Sequence, residues 1–242
     1  MASRSSIKEI KFSNEMTVTL VQDNASDDIV ARSARVSTVG SKSLDKKSND
    51  EIGGLINFLL RERHGSPFEH SLFTFYVKAP IFVWREHMRH RIASYNEESG
   101  RYKELEPEFY IPDSDRKLVQ VGKAGSYIFE DGTIAQHNAV VAGYRDACIV
   151  SYGAYKNMLD AGVAREVARG ILPLNIYSSA YVTMNSRALM NFLSLRRNVE
   201  GSKFPSYPQR EIEMVAEKYE EVFAEKMPLT YESFIKNGRV AP

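Results

Sequence analysis

The sequence predicts an α+β fold: a small, mostly antiparallel sheet surrounded by helices, in a single domain spanning residues 1–242. Short stretches that alternate apolar and polar residues, such as "SLFTFYVKAP" at 71–80, are typical of strands. Longer stretches repeat apolar residues every three or four positions, as amphipathic helices do. Because no Pro- or Ser-rich linker and no internal repeat divides the chain, we expect one domain.

Two short strands and two helices are predicted first. Residues 7–22 alternate around an Asn-Glu break and predict the strands. Ser26 is a suitable N-cap followed by acids, so it predicts the start of a helix. Residues 40–50 are polar and predict a mobile loop. A second helix is expected from about residue 50 to 63, with one apolar side formed by Ile52, Leu55, Phe58 and Leu59.

The middle of the chain continues this mixed pattern. Gly65 and Pro67 disfavour continuation of the second helix, and the strand at 71–80 follows. Pro80 suits the first turn of a helix that ends near residue 91 and leads into a loop. Residues 103–133 show no sustained period and predict irregular structure.

The remaining third is predominantly helical. A long helix is predicted by apolar residues at spacings of three and four: Val141, Tyr144, Cys148, Tyr152, Tyr155 and Leu159. A short helix ends at Pro173, and a strand at 176–185 leads into a helix at 186–198. Pro208 begins a last helix, with Ile212, Val215, Tyr219 and Val222 predicted to point inward.

Composition limits the classes of function. The formal net charge is +1, which argues against a general nucleic-acid or membrane-surface binder. The single cysteine, Cys148, permits no intrachain disulfide, and its place in an apolar seam predicts a buried structural thiol. Because the first residues lack a signal-like apolar region and no run is long enough to span a membrane, we expect a cytoplasmic protein.

One fourteen-residue stretch, "RHRIASYNEESGRY" at 89–102, concentrates cations and hydroxyls in this nearly neutral chain. Donors from Ser99, the backbone of Gly100 and the guanidinium of Arg101 can form one anion pocket, because glycine allows close approach and arginine presents a fork of donors. Glu97 can accept hydrogen bonds from a sugar hydroxyl or a base. The stretch therefore predicts a nucleotide site.

Metal and phosphate-loop chemistry find no support in the sequence. The five histidines form no His-Glu-x-x-His pattern, and one cysteine cannot build a thiolate cage, so no metal is predicted. Neither a Gly-rich dinucleotide loop nor a Gly-Lys-Ser/Thr loop is present. A bound phosphate must then be held by side chains, chiefly arginines.

Three further features, a polar stripe and two single residues, have weaker signals. Arg187, Asn191 and Ser194 form a polar stripe on an otherwise apolar helix, and a buried stripe of this kind needs polar partners. An ordinary solvated face explains Arg169, and a turn explains Ser66.

Two alternatives to a nucleotide-modifying enzyme remain open on this evidence. A single-stranded RNA or nucleotide-binding module would stack bases on Tyr95 and Tyr102 and would be colourless. A metal-free phosphotransfer or hydrolytic enzyme would use Glu97 or Glu98 as a base, but no nucleophile or metal pair is evident. Strongly salt-dependent affinity for nucleic acid would identify the first of these alternatives.

The chain resembles the flavin-dependent thymidylate synthases. Their motif, Arg-His-Arg-x-x-Ser-x-Asn-x-x-Ser-x-Arg, is filled at every fixed position by Arg89, His90, Arg91, Ser94, Asn96, Ser99 and Arg101. The likeness covers most of residues 25–225, including residues 64–91, 162–175 and 184–196. It implies methylation of deoxyuridylate (dUMP) at C5, with methylenetetrahydrofolate as carbon donor, NADPH as reductant, a bound FAD, and no cysteine nucleophile.

The resemblance also implies roles for individual residues. Arg196 would favour ionisation at the uracil N3 and is the catalytic residue, while His64 would lie near the flavin and folate. FAD contacts are implied for Ser66, Arg89, His90, Arg91, Glu97, Asn185, Arg187 and Asn191. The dUMP site is implied to include Glu86, Arg89, Glu97, Glu98, Ser99, Gly100, Arg101, Arg169 and Arg196.

One position departs from the family pattern. Glu86 stands where many members have Gln, and a carboxylate beside a phosphate would be repelled, so we expect Glu86 to pair with Arg85 or Arg89 instead. Family members are homotetramers that share the flavin between subunits, which implies the same assembly here and explains the absence of a dinucleotide-binding loop.

Overall fold

The computed structural model of the chain describes residues 9–123 and 126–242 and confirms the α+β class. Within these residues the strands are β1 (Lys11–Ser13), β2 (Thr17–Asp23), β3 (Leu72–Pro80), β4 (Ser94–Glu97), β5 (Glu108–Tyr110), β6 (Val119–Lys123), β7 (Ser126–Glu130) and β8 (Tyr177–Asn185). The α-helices are α1 (Asp27–Val39), α2 (Asn49–Arg61), α3 (Ile81–His87), α4 (Ile134–Asp160), α5 (Arg165–Ala168), α6 (Ser186–Arg196), α7 (Arg210–Lys226) and α8 (Pro228–Lys236).

The strands form three small sheets in the described part of the chain. One sheet has the order β2-β3-β8-β4, while β1 pairs with β5 in parallel and β6 pairs with β7 antiparallel. None of the helices that the structure describes is long and apolar enough to cross a membrane. By contacts the chain divides into two compact units, and the prediction of one domain over residues 1–242 stays a prediction.

The first unit comprises Met1–Glu15, Lys78–Arg85 and Glu97–Ser179, in so far as these residues are described. Its core contains the buried face of α4 and residues packed against that face: Phe109, Cys148, Tyr152, Tyr155, Ala168 and Ile176. The prediction of a buried thiol at Cys148 is confirmed, since its side chain is 0% exposed and contacts Asn175. Burial raises the pKa of this thiol.

The second unit comprises Met16–Val77, Glu86–Asn96 and Ala180–Pro242. Aromatic side chains from β3, α6 and α7 pack together in its core, among them Phe75, Phe192 and Tyr219. The first turn of α8 is capped by the carboxylate of Asp27, which accepts hydrogen bonds from Leu229 N, Thr230 N and the Thr230 hydroxyl at 3.0, 2.8 and 2.6 Å.

Several predicted elements need correction. Residues 40–44 form a 3₁₀ helix, because Arg35 donates to the carbonyls of Lys42, Ser43 and Asp45 and holds the segment. The supposedly irregular stretch 103–133 contains β5, β6 and β7, which are too short to show a period.

The predicted buried sides of two helices, α2 and α7, were also partly wrong. Phe58 is 43% exposed, and the buried side of α2 consists of Ile52, Ile56, Leu59 and Leu60. In α7, Phe223 is buried in place of Val222. Helix α8 was not predicted, because a proline such as Pro228 is compatible both with the start of a helix and with the end of the helix before it.

Candidate functional site

The segment that carries the Arg-His-Arg motif lies between α3 and β4 in the second unit. Helix α3 ends at His87, four residues before the predicted end near residue 91, so Arg89, His90 and Arg91 lie outside the helix and do not share one helical face. The predicted loop is shorter than expected, because residues 94–97 form β4.

Arg196, at the end of α6, is fixed by contacts on both sides of its guanidinium. Its Nη1 donates to Glu86 Oε2 at 2.7 Å, and its Nη2 lies 3.3 Å from the Glu86 carbonyl. Its Nε donates to His90 Nε2 at 3.0 Å. The expected pairing of Glu86 with Arg85 or Arg89 is therefore wrong: the carboxylate pairs with Arg196, because α6 brings that guanidinium to the end of α3.

His90 must be neutral to accept this hydrogen bond. Burial, together with the nearby charge of Arg196, lowers the pKa of His90 to about 4. The ring of Phe192 lies 4.5 Å from that of His90 between centroids. A neutral imidazole and a carboxylate thus hold one arginine whose side chain is only 18% exposed.

Arg89 and Arg91 differ from Arg196. Both are exposed, and neither side chain forms a hydrogen bond or ion pair with another residue in 9–123 or 126–242. Asn191 is exposed as well, and so is Arg187. The expectation that the stripe on α6 is buried is wrong for this chain, because α6 buries its opposite side, including Leu189, Met190 and Phe192.

The remaining predicted cofactor contacts of this unit lie around the start of α6. Asn185 is the N-cap of α6 and accepts from Ala188 N at 2.8 Å. Arg187 donates to Glu69 Oε1 at 2.6 Å and to the Pro242 carbonyl at 2.8 Å. A Cβ built on Gly65 would lie 2.5 Å from Arg187 Cζ, so any side chain at position 65 would require this guanidinium to move.

His64 is exposed and makes an edge contact with Phe58, with 5.8 Å between ring centroids. It follows Arg63, which has a positive φ of 61°. The structure gives this histidine no polar role of its own.

In the first unit, the two predicted carboxylates are tied to serines of β8. Glu97 Oε1 accepts from the Ser178 hydroxyl at 2.5 Å. Glu98 Oε1 accepts from the backbone and hydroxyl of Ser179 at 2.9 and 3.2 Å, and its other oxygen pairs with Lys103 at 2.7 Å. Both side chains are therefore oriented by the protein itself.

The residues of the predicted anion pocket lie in the turn that follows. Arg101 N donates to Ser99 Oγ at 3.2 Å, which closes the turn. A Cβ on the buried Gly100 would lie 3.1 Å from Arg169 Cδ, so the absence of a side chain lets Arg169 pack against the turn. The aliphatic part of the Arg169 side chain therefore lies against the turn that carries Arg101, although a solvated helix face had seemed sufficient for Arg169.

Within residues 9–123 and 126–242, the guanidinium of Arg101 has one hydrogen-bond partner, and that partner is exposed. Its Nε donates to Glu166 Oε2 at 2.9 Å, and the two side chains are 54% and 55% exposed. An exposed ion pair of this kind contributes little stability, so the arginine is available to an anionic ligand.

Sequence reasoning did not identify several supporting residues. Ser178 and Ser179 orient the two carboxylates, and two adjacent serines within an apolar strand were a usable signal. Tyr95, which contacts the His90 carbonyl, was considered only as a base-stacking residue, and Tyr219, which contacts His87, only as a core residue. No group of three or more metal-ligating side chains is found among the described residues.

The fold and these side chains define an α+β protein with one arginine held by a carboxylate and an imidazole, and with further arginines exposed. A family profile described as "Thymidylate synthase complementing protein" matches residues 19–229. A flavin-dependent thymidylate synthase of Tropheryma whipplei (strain TW08/27) is 58% identical over 233 residues, which is 96% of this chain and 97% of the relative. One of Streptomyces coelicolor is 56% identical over 237 residues, 97% and 96% of the two chains.

Solved structures agree with these matches. A UMP/dUMP methylase, PolB, from Streptomyces cacaoi bound with 5-Br dUMP has a TM-score of 0.92 and 48% identity. The match covers 96% of this chain and all of that chain (100%). The chain belongs to the family of flavin-dependent thymidylate synthases, as the motif predicted, and this decides against the alternative of an RNA-binding module.

Family membership confirms the prediction of an FAD-dependent enzyme, and the described residues fit that cofactor. A flavin dinucleotide carries a diphosphate, which needs several cationic donors. Arg89 and Arg91 offer exposed guanidiniums whose donors are not used by any residue in 9–123 or 126–242. Asn191 and Arg187 are exposed on the side of α6 that the second unit leaves uncovered.

Proposed function

We propose that this protein converts dUMP to dTMP by reductive methylation, with methylenetetrahydrofolate as carbon donor and NADPH as reductant. The observation that carries the proposal is the fixed guanidinium of Arg196, held by Glu86 at 2.7 Å and by neutral His90 at 3.0 Å. A fixed cation stabilises the anionic form of a ring beside it, and negative charge makes the uracil C5 a better nucleophile. No cysteine attack is then required.

The cofactor supplies hydride to the transferred carbon when it is bound in reduced form. Its diphosphate is assigned to Arg89 and Arg91, because their donors are exposed and unused by the described residues. The other assigned FAD contacts are Ser66, His90, Glu97, Asn185, Arg187 and Asn191. His64 is assigned to the vicinity of the flavin and folate.

The dUMP phosphate is assigned to Ser99, Gly100, Arg101 and Arg169. Arg101 exchanges the exposed carboxylate of Glu166 for the phosphate, and Arg169, whose Cδ lies beside Gly100, supplies a second guanidinium. Glu97 and Glu98 are oriented by serines and serve as acceptors for the sugar or base. Arg89 is assigned to both ligands.

Glu86 is assigned to the dUMP site because it holds Arg196, and we do not assign it a contact with the dUMP phosphate. Its carboxylate is 43% exposed and is already engaged by a cation. A second anion beside it would be repelled, whereas the uracil ring, which shares Arg196, need not contact it.

A homotetramer is proposed for the assembled enzyme. Helix α4 has 27 residues, yet Cys148, Tyr152 and Tyr155 are its only buried residues. Its outer side exposes Ile149 by 52% and Val150 by 71%. An apolar helix face of this length is typical of a surface covered by another copy of the chain.

Sedimentation velocity tests the assembly. We expect a tetramer for the wild-type protein, and smaller species for Val150→Glu, because a buried charge opposes association. Val36→Glu is the matched control: Val36 is 56% exposed on α1, so the same change there should leave the tetramer intact. A wild-type monomer that retains one FAD per chain would contradict the proposal.

The reaction is tested with dUMP tritiated at C5. Purified yellow protein should release tritium and form dTMP only when methylenetetrahydrofolate and NADPH are both present. UMP is assayed in parallel with dUMP, because the solved relative is a UMP/dUMP methylase. A flavin-loaded protein that oxidises NADPH but neither releases tritium nor forms dTMP would overturn the proposed function.

Cys148→Ala tests the absence of a thiol nucleophile. The thiol is buried against Asn175, so its removal should cost about 1–2 kcal/mol of unfolding free energy and leave turnover nearly unchanged. Thermal unfolding and tritium release measure the two effects. Loss of turnover in a folded, FAD-loaded Cys148→Ala protein would show that the thiol takes part in the chemistry.

A further inference from the structure

The segment between α3 and β4 is held by one hydroxyl that the family motif does not specify. Tyr95 Oη lies 2.9 Å from the carbonyl oxygen of His90 and 3.2 Å from that of His87. Its single proton is therefore shared between two carbonyls of the turn that presents His90. Tyr95 occupies one of the variable positions of the motif, between Ser94 and Asn96.

A buried histidine continues this arrangement into the core. His87 is 1% exposed, and its Nδ1 lies 3.2 Å from Tyr95 Oη while its Nε2 lies 2.9 Å from Tyr219 Oη. Burial, with the charges of His90 and Arg196, lowers the pKa of His87 to about 3, so the ring is neutral. One tautomer satisfies both contacts: Nδ1–H donates to Tyr95 and Nε2 accepts from Tyr219.

We propose that Tyr95 is a positioning residue for the reaction, which fixes the backbone of His90 so that the imidazole accepts from Arg196 and aims its guanidinium. This inference rests on the proposed function, because it assigns Tyr95 an effect only through the role of Arg196. The path is short: the Tyr95 hydroxyl holds the His90 carbonyl, and the His90 ring holds Arg196 Nε at 3.0 Å. Tyr219 and His87 fix the hydroxyl from the other side.

The chemistry explains why a hydroxyl is needed at this position. A phenyl ring would keep the edge contact with His87, with 5.5 Å between centroids, but would leave two carbonyls and the His87 Nδ1–H without this partner. The turn would then be free to rotate His90 away from Arg196. Small displacements of a catalytic group have large effects on rate, because transition-state stabilisation depends on orientation.

The test is a double-mutant cycle of Tyr95→Phe and Arg196→Ala. Single-turnover dTMP formation at saturating dUMP is measured for each tetrameric, FAD-loaded protein. Tyr95→Phe should slow this step about 10-fold, with dUMP affinity changed less than about 3-fold. In the Arg196→Ala background, Tyr95→Phe should have almost no further effect, because Tyr95 acts on the reaction only by way of the Arg196 guanidinium, which this variant lacks.

Controls separate positioning from a general packing defect. Tyr177→Phe is the matched control, because the Tyr177 hydroxyl also donates to a backbone carbonyl, that of Glu15, at 2.9 Å. This change should leave the single-turnover rate unaltered. Tyr219→Phe removes the far support of His87 and should slow the same step by a smaller factor, again only when Arg196 is present. It serves as the second variant if Tyr95→Phe does not fold.

The possible outcomes decide between the two proposals. If Arg196→Ala itself reacts at the wild-type rate, the proposed function of Arg196 fails. If Arg196→Ala is slow but Tyr95→Phe reacts normally, or slows both backgrounds equally, the positioning role of Tyr95 is overturned while the proposed function stands.

Discussion

Two arginine-bearing regions of this chain are built in different ways. In the second unit, Arg196 is 18% exposed and is held by Glu86 and His90, which are themselves fixed by the end of α3 and by Tyr95. In the first unit, Arg101 is 54% exposed and has one exposed partner, Glu166. The first arrangement fixes a charge before any ligand arrives, whereas the second leaves a charge that changes partner on binding.

This difference corresponds to the two tasks proposed for the arginines. A group that acts on developing charge must be oriented in advance, because reorientation during the reaction costs free energy. A group that binds a phosphate acts equally in the ground and transition states, so a weak temporary partner is sufficient. The mutations below test this division, starting with the largest expected effect.

Arg196→Ala should reduce single-turnover dTMP formation at saturating dUMP by about 100- to 1000-fold, because a preorganised charge is lost. The affinity for dUMP, measured by the change in flavin absorbance, should fall by less than about 5-fold. FAD content and sedimentation are checked first. Normal turnover of this variant once saturated would mean that the fixed arginine does not act on the ring.

Arg101→Ala should weaken dUMP binding by about 10- to 100-fold while leaving the saturated rate close to normal, since a bidentate contact is lost equally in both states. Arg101→Lys should recover part of the affinity, because a point charge cannot reproduce the planar fork. Titration of flavin absorbance with dUMP measures both. A variant that binds normally but fails to react would reverse the roles of the two arginines.

Acid should lower the free energy of unfolding, because His87 and His90 are held neutral in the folded protein. The pKa of buried His87 is lowered to about 3, whereas an unfolded histidine titrates near 6.5, so unfolding takes up a proton between these pH values. Its contribution to stability is complete above about pH 6.5 and falls by up to about 1.4 kcal/mol per pH unit below it. His90, whose pKa is lowered to about 4, acts in the same direction.

Urea unfolding at pH 7, 6 and 5 measures this slope. His70→Asn is the control, because His70 is exposed and its removal should leave the slope unchanged. A free energy of unfolding that stays constant from pH 7 to 5 would show that these imidazoles are not held neutral.

Glu166→Gln should have the smallest effect. It removes the charge that Arg101 exchanges for the phosphate, and an exposed pair contributes at most about 1 kcal/mol, so dUMP affinity should rise by about 2- to 5-fold. The gain should shrink at high salt, which screens the pair in the parent protein. Weaker dUMP binding would mean that Glu166 supports the site and does not compete with the ligand.

The fold class and most elements could be predicted from the sequence, because long periodic helices such as α4 and the alternating strand β3 carry strong local signals. The strands β5, β6 and β7 could not, since three to five residues show no period.

The candidate site was predicted as a set of residues but not as a set of contacts. Arg196 and Arg197 are neighbours in sequence, yet Arg197 pairs with Glu213, Glu217 and Glu220 and supports α7. Which of two adjacent arginines meets Glu86 depends on the tertiary placement of α6, and local sequence carries no information about that. The partner of Glu86 was predicted wrongly for the same reason.

The capping of α8 by Asp27 has a consequence for how the chain is made. The two groups are 203 positions apart at Thr230, so the contact forms only after nearly all of the described chain has left the ribosome. Residues 97–179 of the first unit are complete well before that moment and can fold while α1 still lacks its partner. Until α8 docks, the carboxylate of Asp27 lacks the donors that it accepts from in the finished fold, so the second unit is completed only by the last part of the described chain to be made.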